Sequence, residues 1–310
     1  MTSPAIAFLF PGQGSQQVGM GRQFYERFPQ ARQIFGRANN QLGFDLAQLC
    51  FNGPEEQLGL TVNTQPALLV NSYAGFRLLA EQGVVPKMAL GHSVGEYSAL
   101  LAAGALEFPL ALELVRKRGA YMHEAVPPGR GAMAAVLGLN RKKVDHLCQE
   151  DEGGVVAANY NSSSQVVISG LREAVGRVAD ACRKAGARRA VFLQVSAPFH
   201  SGLMHQAEER LSRDLDAVEF KELQFPVIDN ATASLNRSAT EVKEALKRQV
   251  TSPVRWEESV RKAAEAGVDT FVEVGPGRVL SGLVSRIVGG AKTYQVENPE
   301  SLERTLESLA

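Results

Sequence analysis

This chain of 310 residues has few cysteines and no formal net charge. The three cysteines, Cys50, Cys148 and Cys182, form no C-x-x-C pair, which argues against a disulfide framework and against a zinc site. We therefore expect free thiols and no metal. The 33 basic and 33 acidic residues leave a formal net charge of zero, so no global field attracts nucleic acid or an anionic membrane. An acidic partner would have to be recognised by a local patch.

Long apolar runs are also absent. No stretch approaches the roughly 18 to 20 apolar residues that span a bilayer. The short apolar run at residues 5–10 has no basic segment before it, so it predicts a strand and not a signal peptide. We expect a cytoplasmic protein without membrane association.

The remaining composition, 45% hydrophobic and 21% charged, is typical of globular proteins. A first group of elements has the pattern of a parallel sheet covered by helices. Residues 5–10 form a continuous apolar run ended by Pro11 and Gly12, as expected of a strand buried on both faces. Thr64 is predicted to begin a helix with Pro66 in its first turn. Further strands are predicted at 84–90, 225–228 and 270–274, and further helices from Tyr97 with breaks near Gly104 and Pro109, at 203–218 and at 242–249.

A second group of elements lies between these. The pattern predicts a strand at 132–139, a helix at 141–150, two short strands within 155–169, a helix at 171–185 and a strand at 189–195. This β-α-β-β-α-β order is that of the ferredoxin-like unit. We therefore predict an α/β protein: a larger α/β-hydrolase-like domain with a parallel sheet at 1–128 and 196–310, and an inserted ferredoxin-like subdomain at 129–195.

The strongest local signal is the G-x-S-x-G sequence at residues 91–95, between an apolar strand and a helical stretch. Glycines on both sides allow a sharp turn that lifts the Ser93 hydroxyl above the sheet, and the following helix directs its N-terminus at the same place. The five-residue pattern alone does not separate a nucleophile from an ordinary tight turn.

A serine nucleophile needs a base, and the chain has five histidines. His123 and His205 lie in predicted helices and His146 on a charged helix face. His200 follows a predicted strand at the start of a loop, where functional side chains are common. A histidine bonded to backbone groups in a turn is the competing interpretation.

Several motifs in sequence order together resemble those of the bacterial malonyl-CoA:acyl carrier protein transacylases, from near Ala5 to near the end of the chain. Val94 differs from the leucine of many relatives, but that position supplies only a backbone N–H. The matching segments are residues 10–16, 91–100, 118–119 with Met122, 159–165, 198–200, 249–256 and 273–277.

The resemblance implies a catalytic dyad. Ser93 would be the nucleophile and His200 its general base, later the acid that protonates the leaving thiolate. The other nitrogen of the imidazole would be held by a main-chain carbonyl near Gln249, so no triad carboxylate is expected.

The resemblance also implies the residues that contact the substrate. The N–H groups of Gln13 and Val94 would form an oxyanion hole. Arg118 would meet the malonyl carboxylate, His92 would line the pocket and Gln249 would also belong to the substrate-binding residues, with Asn159 and Asn161 in support. Taken alone, residues 116–118 are typical of a solvated basic helix end. Likewise, residues 11–15 suggest only a strand-ending turn, because they lack the spacing of a phosphate-binding loop.

The implied activity is malonyl transfer from malonyl-CoA to an acyl carrier protein, with coenzyme A thioester as substrate, no cofactor and a monomeric enzyme. A serine hydrolase, either thioesterase or esterase, is the alternative, but it needs a late histidine and none follows His205. A catalytically silent acyl-chain or carrier-binding scaffold would not need both Ser93 and His200.

Overall fold

The computed structural model describes residues 4–195 and 197–310. Ser196, the first residue of the loop predicted before His200, lies outside the described residues, as do residues 1–3. The strands are β1 (Ile6–Phe10), β2 (Met88–Gly91), β3 (Gly131–Leu137), β4 (Val156–Ser162), β5 (Gln165–Leu171), β6 (Arg189–Phe192), β7 (Val227–Ile228), β8 (Leu235–Asn236), β9 (Thr270–Val274) and β10 (Lys292–Val296). The helices are α1 (Arg22–Arg27), α2 (Pro29–Leu42), α3 (Leu46–Asn52), α4 (Glu55–Gly59), α5 (Thr61–Glu81), α6 (Gly95–Ala102), α7 (Phe108–Glu124), α8 (Arg141–Glu150), α9 (Arg172–Lys184), α10 (His205–Ala217), α11 (Ala239–Gln249), α12 (Trp256–Glu265), α13 (Val279–Ile287) and α14 (Pro299–Leu309).

The larger sheet has six strands in the order β10-β9-β1-β2-β7-β8. All neighbours are parallel except β7 and β8. Strand β1 is buried along its whole length, with Phe8 and Phe10 in one core cluster and Ala7 and Leu9 in another. Helices therefore cover both faces of the sheet, which confirms the parallel strand predicted at residues 5–10. The carboxyl ends of β1 and β2 meet at one edge, where ligands bind in open parallel sheets.

The smaller sheet has four antiparallel strands in the order β4-β5-β3-β6. With α8 and α9 it follows the predicted β-α-β-β-α-β sequence, and its own core includes Val144, Val166 and Val178. The predicted fold class is confirmed, and the domain limits at 128/129 and 195/196 stay a prediction.

Main-chain contacts join the smaller sheet to the larger one. Tyr160 N–H donates to Val254 O at 2.9 Å, and Val254 N–H donates to Ala158 O at 2.8 Å. A Cβ on Gly131 would lie 2.2 Å from Pro198 Cδ, so the start of β3 touches the loop that leads to His200. The two parts of the chain thus meet close to the predicted site.

Helix α5 corrects the prediction that Thr64 begins a helix. The helix starts at Thr61, and Pro66 lies inside it. Proline in a helix leaves the carbonyl four residues earlier without its N–H partner. Here Arg116 Nη1 donates to that carbonyl, Val62 O, at 3.3 Å. A tertiary contact therefore compensates for the proline.

Other boundaries also differ from prediction. The strand predicted at 84–90 is shortened to β2: Pro86 has no N–H to donate to a ladder, and Lys87 N–H, just after it, donates to Ile6 O of β1 at 2.8 Å. The strand predicted at 189–195 ends at Phe192, and the helix predicted at 203–218 begins with a 3₁₀ turn at Gly202–Met204. In the described part of the chain, no helix is long and apolar enough to cross a membrane.

Candidate active site

Ser93 lies at a sharp turn between β2 and α6. Its φ is 53°, in the left-handed region that residues other than glycine rarely adopt. A Cβ on Gly91 would lie 2.0 Å from the carbonyl carbon of Gly95, and a Cβ on Gly95 would lie 2.1 Å from Phe10 O. The close approach of strand, turn and helix therefore requires both glycines of the G-x-S-x-G sequence.

The loop after β1 packs against this turn. His92 N–H donates to Phe10 O at 3.0 Å, and a Cβ on Gly12 would lie 2.4 Å from His92 O. The contact brings the loop carrying Gln13 against the turn carrying Val94. Within residues 4–195 and 197–310, no acceptor takes the main-chain N–H of either Gln13 or Val94. Both groups are thus available to a ligand.

Ser93 and His200 are joined by a short hydrogen bond. Ser93 Oγ lies 2.8 Å from His200 Nε2, and His200 Nδ1 lies 3.0 Å from Gln249 O and 3.1 Å from Ser252 O. Because carbonyl oxygens only accept, Nδ1 carries the proton and Nε2 is left as the acceptor for the serine hydroxyl. This tautomer can take the hydroxyl proton.

The carbonyl that orients His200 comes from a helix end. Gln249 is the last residue of α11, where carbonyl groups lack intrahelical partners and the helix dipole is negative. An N–H donor is stabilised there without a carboxylate. The expectation of a histidine held by main chain near Gln249 therefore matches the observed geometry.

The environment of His200 disfavours its charged form. Only 3% of the residue is exposed, and burial, followed by the Arg118 cation, lowers its pKa to about 3 despite the bonds to the two carbonyls. The imidazole is therefore neutral at neutral pH, as a general base must be.

Arg118 is buried and reaches Ser93. Its Nη2 donates to Ser93 Oγ at 3.1 Å and to Gln249 Oε1 at 3.0 Å, while Nη1 donates to Gln65 Oε1 at 2.9 Å. All three acceptors are neutral, and the buried Nε has no partner among the described residues. The solvated helix end that residues 116–118 suggest is thus wrong for Arg118, which is 1% exposed.

A close helix contact places this arginine. A Cβ on Gly119 would lie 2.8 Å from Thr61 O and 2.9 Å from Val62 Cα. The glycine therefore lets α7 approach α5 closely, so that Arg118 meets Gln65 across the two helices. The two preceding cations have other partners. Arg116 donates to Asn63 Oδ1 at 2.9 Å, and Lys117 pairs with Asp214 at 2.8 Å.

Gln249 connects the site to a buried carboxyl group. Its Nε2 donates to Ser93 O at 3.0 Å and to Glu96 Oε2 at 2.8 Å. Burial, followed by the charge of Asp229, raises the pKa of Glu96 to about 8. Near neutral pH this carboxyl is therefore mostly protonated and does not neutralise Arg118.

His92 lies beside the turn and faces the smaller sheet. Its Nε2 lies 2.9 Å from Asn161 Oδ1, and its ring packs 5.5 Å from the ring of Trp256, centroid to centroid. Burial lowers the pKa of His92, so a neutral ring stands next to Ser93. Asn159, the other predicted asparagine, is buried in β4.

Other predicted features lie away from these residues. The side chains of His146 and His205 are more than half exposed and contact Glu150 and Glu208. The three cysteines are buried and free. Across residues 4–195 and 197–310, no group of three or more His, Cys, Asp or Glu side chains could hold a metal ion.

The arrangement has counterparts in known proteins. The acyl transferase domain family matches residues 7–297. The malonyl CoA-acyl carrier protein transacylase of Bacillus subtilis (strain 168) is 47% identical over 307 residues, covering 98% of this chain and 97% of that protein. The chain belongs to the malonyl-CoA:acyl carrier protein transacylases.

Solved transacylase structures have the same fold. The malonyl CoA-acyl carrier protein transacylase of Coxiella burnetii superimposes with a TM-score of 0.97 at 39% identity, covering 99% of this chain and 98% of that one. A structure described as a type II PKS acyl-carrier protein in complex with its malonyl-transacylase gives a TM-score of 0.96 at 46% identity, covering 98% and 99%. The serine-hydrolase alternative is not favoured by these relatives.

Three side chains of this transacylase site were not assigned a role from the sequence: Gln65, Glu96 and Asn230. Gln65 and Glu96 lie within helical stretches, where an inward polar residue cannot be told from an outward one without knowing the fold. Asn230 follows β7 in a segment rich in turn-forming residues. Its sequence signal is that of a turn, and only the structure brings it to Ser93.

Proposed function

We propose that this protein transfers the malonyl group of malonyl-CoA to the phosphopantetheine thiol of an acyl carrier protein through a malonyl ester on Ser93. The observation that carries the proposal is the Arg118 guanidinium, buried against neutral oxygens and 3.1 Å from Ser93 Oγ. A buried cation without an anionic partner is costly, and a substrate carboxylate would satisfy it with two charge-assisted bonds.

In the first half-reaction, Ser93 Oγ attacks the thioester carbonyl while its proton passes to His200 Nε2. The negative charge on the carbonyl oxygen would be met by the N–H groups of Gln13 and Val94. The carbon–sulfur bond then breaks, and His200 returns the proton to the coenzyme A sulfur. The second half-reaction is the reverse, with the carrier thiol as attacking group.

Arg118 would set the choice of acyl group. Its planar fork suits a carboxylate, which an acetyl group lacks. His92 would form the neighbouring wall, and the side chain of Gln249 would hold the guanidinium in place. Coenzyme A enters as a substrate, and we propose that the reaction needs no cofactor.

The proposed function also implies an acceptor protein and a cellular location. A relative has been solved in complex with an acyl carrier protein, which supports a carrier as the acceptor here. The cytoplasmic location, the absence of nucleic-acid and membrane partners and the monomeric state stay predictions.

A two-step labelling experiment tests the proposed function. The protein is incubated with radiolabelled malonyl-CoA, digested, and its peptides are examined for label; a carrier protein bearing phosphopantetheine is then added. We expect label on the peptide containing Ser93, transfer of that label to the carrier, and neither in Ser93→Ala. Transfer by Ser93→Ala, or label on another residue, would contradict the proposal.

A further inference from the structure

Asn230 lies beneath Ser93, in the turn that connects β7 to β8. It is 2% exposed, and its side-chain amide spans the turn of the G-x-S-x-G sequence. Asn230 Oδ1 accepts the N–H of Ser93 at 2.7 Å, and Asn230 Nδ2 donates to Gly91 O at 2.6 Å. One side chain therefore binds the main chain on both sides of His92.

The orientation of this amide is fixed by its partners. A main-chain N–H can only donate and a main-chain carbonyl can only accept, so Oδ1 must face Ser93 and Nδ2 must face Gly91. Removing the amide would take away this hydrogen-bond partner from both main-chain groups, and a buried polar group that loses its partner is costly.

The amide is itself held in place. Asn230 N–H donates to Glu96 Oε2 at 2.9 Å, and Asn230 O accepts the N–H of Arg255 at 2.9 Å. Glu96 belongs to the helix that follows Ser93, and it also receives the side chain of Gln249. Asn230 is thus anchored from the first turn of α6 and from the segment before α12.

The two hydrogen bonds of the Asn230 amide matter because the backbone of Ser93 is strained. A non-glycine residue at φ 53° persists only where its surroundings impose that conformation. We propose that Asn230 is a positioning residue for the nucleophile: its amide holds the Ser93 turn so that Oγ points at His200. Asn230 touches neither Oγ nor the substrate pocket in this network, so it acts through Ser93.

The inference rests on the proposed role of Ser93, and the test is chosen so that the two can fail separately. A fluorophosphonate probe reacts with an activated serine by forming an oxygen–phosphorus bond and releasing fluoride, while the hydroxyl proton passes to His200. It needs neither the malonyl carboxylate nor a carrier protein. If labelling is normal but malonyl transfer is absent, the substrate assignment fails and the positioning role is still measured.

The first variant is Asn230→Ala, with Asn236→Ala as its control. Asn236 lies in the same β7–β8 hairpin, is 7% exposed, and its side chain donates to Asp229 Oδ2. We expect the labelling rate constant of Asn230→Ala to fall about 10²-fold, as for a misplaced reacting group, and that of Asn236→Ala to stay near the parent value. Equal losses in the two variants would mean that the hairpin merely supports the fold, and the proposal would be wrong.

The second variant, Asn230→Asp, tests the amide directly. A protonated carboxyl has one O–H donor and one acceptor oxygen, so it can replace the amide on Gly91 O and Ser93 N–H; a carboxylate cannot donate. Burial and the neighbouring charge of Asp229 favour the protonated form, whereas Arg118 opposes it. Labelling by this variant should therefore rise at least about tenfold between pH 8 and pH 5.5, while the parent changes little.

The pH series also decides the outcome if Asn230→Ala does not fold. A profile of Asn230→Asp that runs parallel to that of the parent would overturn the proposal, since a role in folding alone gives no reason for recovery in acid. Recovery in acid, with the KM for malonyl-CoA close to the parent value, would establish that the amide acts on the reacting serine.

Discussion

Arg118 Nη2 lies 3.1 Å from Ser93 Oγ, so the cation proposed to bind the substrate's carboxylate also touches the proposed nucleophile. The same cation is among the causes that lower the pKa of His200. A carboxylate bound to Arg118 would offset that charge and make the histidine a stronger base. Substrate choice and proton transfer are therefore electrostatically linked.

Replacing Arg118 by alanine should change the preference between acyl donors. The malonyl carboxylate would be buried without a partner, a loss of roughly 2 to 5 kcal/mol, or about 30-fold to several thousand-fold in kcat/KM. Acetyl-CoA has no carboxylate and should keep or increase its rate. Measuring kcat/KM for both donors checks this, and an equal fall for both would mean that Arg118 has a structural role only.

His200→Ala should slow acylation and transfer together by about 10²- to 10⁴-fold. In the parent, the pKa of His200 lies near 3, so the imidazole stays neutral as the pH falls from 8 to about 5.5. Acylation by malonyl-CoA should therefore be nearly independent of pH over this range. A single-turnover pH profile that drops by half near pH 6.5 would show an ordinary, unshifted histidine.

Glu96→Gln should make stability less sensitive to alkali. Burial raises the pKa of Glu96 from 4.5 to about 8, so the folded protein holds this proton more tightly than the unfolded chain. The resulting stabilisation is complete below the unfolded pKa and is lost as the pH rises through the folded pKa. Glutamine keeps an oxygen for the N–H of Asn230 but does not titrate.

The free energies of unfolding of parent and Glu96→Gln, measured in denaturant from pH 5 to pH 9, test this expectation. The parent should lose stability relative to the variant by at most about 1.4 kcal/mol per pH unit, mainly below pH 8. A difference that does not change with pH would contradict a raised pKa for this carboxyl.

Carrier docking should depend on exposed cations beside the smaller sheet. The sequence offers Arg116, Lys117, Lys184, Arg188 and Arg189 as candidates, but the first two are engaged by Asn63 and Asp214. Lys184, Arg188 and Arg189 are exposed. Arg189→Glu should therefore raise the KM for the carrier and leave acylation by malonyl-CoA unchanged, because an acidic partner is attracted by local charge.

Arg304→Glu is the matched control, since Arg304 is exposed on α14, which packs on β10 at the far edge of the larger sheet. Transfer to the carrier should also weaken with salt more than acylation does. If both half-reactions respond equally to salt, a charged docking patch is excluded.

Sequence patterns predicted those parts of the fold whose signal is local. The buried run of β9 and the amphipathic pattern of α8 were predicted at their observed limits, Thr270–Val274 and Arg141–Glu150. The start of α5 was not, because the carbonyl that Pro66 leaves without its helical partner is bonded by Arg116, which is far away in the chain. Local rules fail where a distant side chain satisfies the backbone.

The same distinction holds for the site. The G-x-S-x-G turn and the main-chain support of His200 follow from a motif and a family resemblance. Asn230 could not be found in this way, because its three partners in the turn and in α6 lie more than 130 residues earlier in the chain. A side chain that acts through main-chain bonds leaves no motif of its own.

The two carbonyls that hold His200 have a consequence for the lifetime of a malonyl ester on Ser93. Among the described residues no carboxylate bonds to the imidazole, and burial is the largest cause of its lowered pKa. His200 therefore stays a weak base in the malonyl ester, even where the malonyl carboxylate offsets the charge of Arg118. A thiol, with a pKa of about 8.5, needs far less help to lose its proton than water, whose pKa is much higher. The ester should therefore survive in water and react quickly with a carrier thiol. The ratio of thiolysis to hydrolysis then measures how well the site protects the acyl-enzyme until a carrier binds.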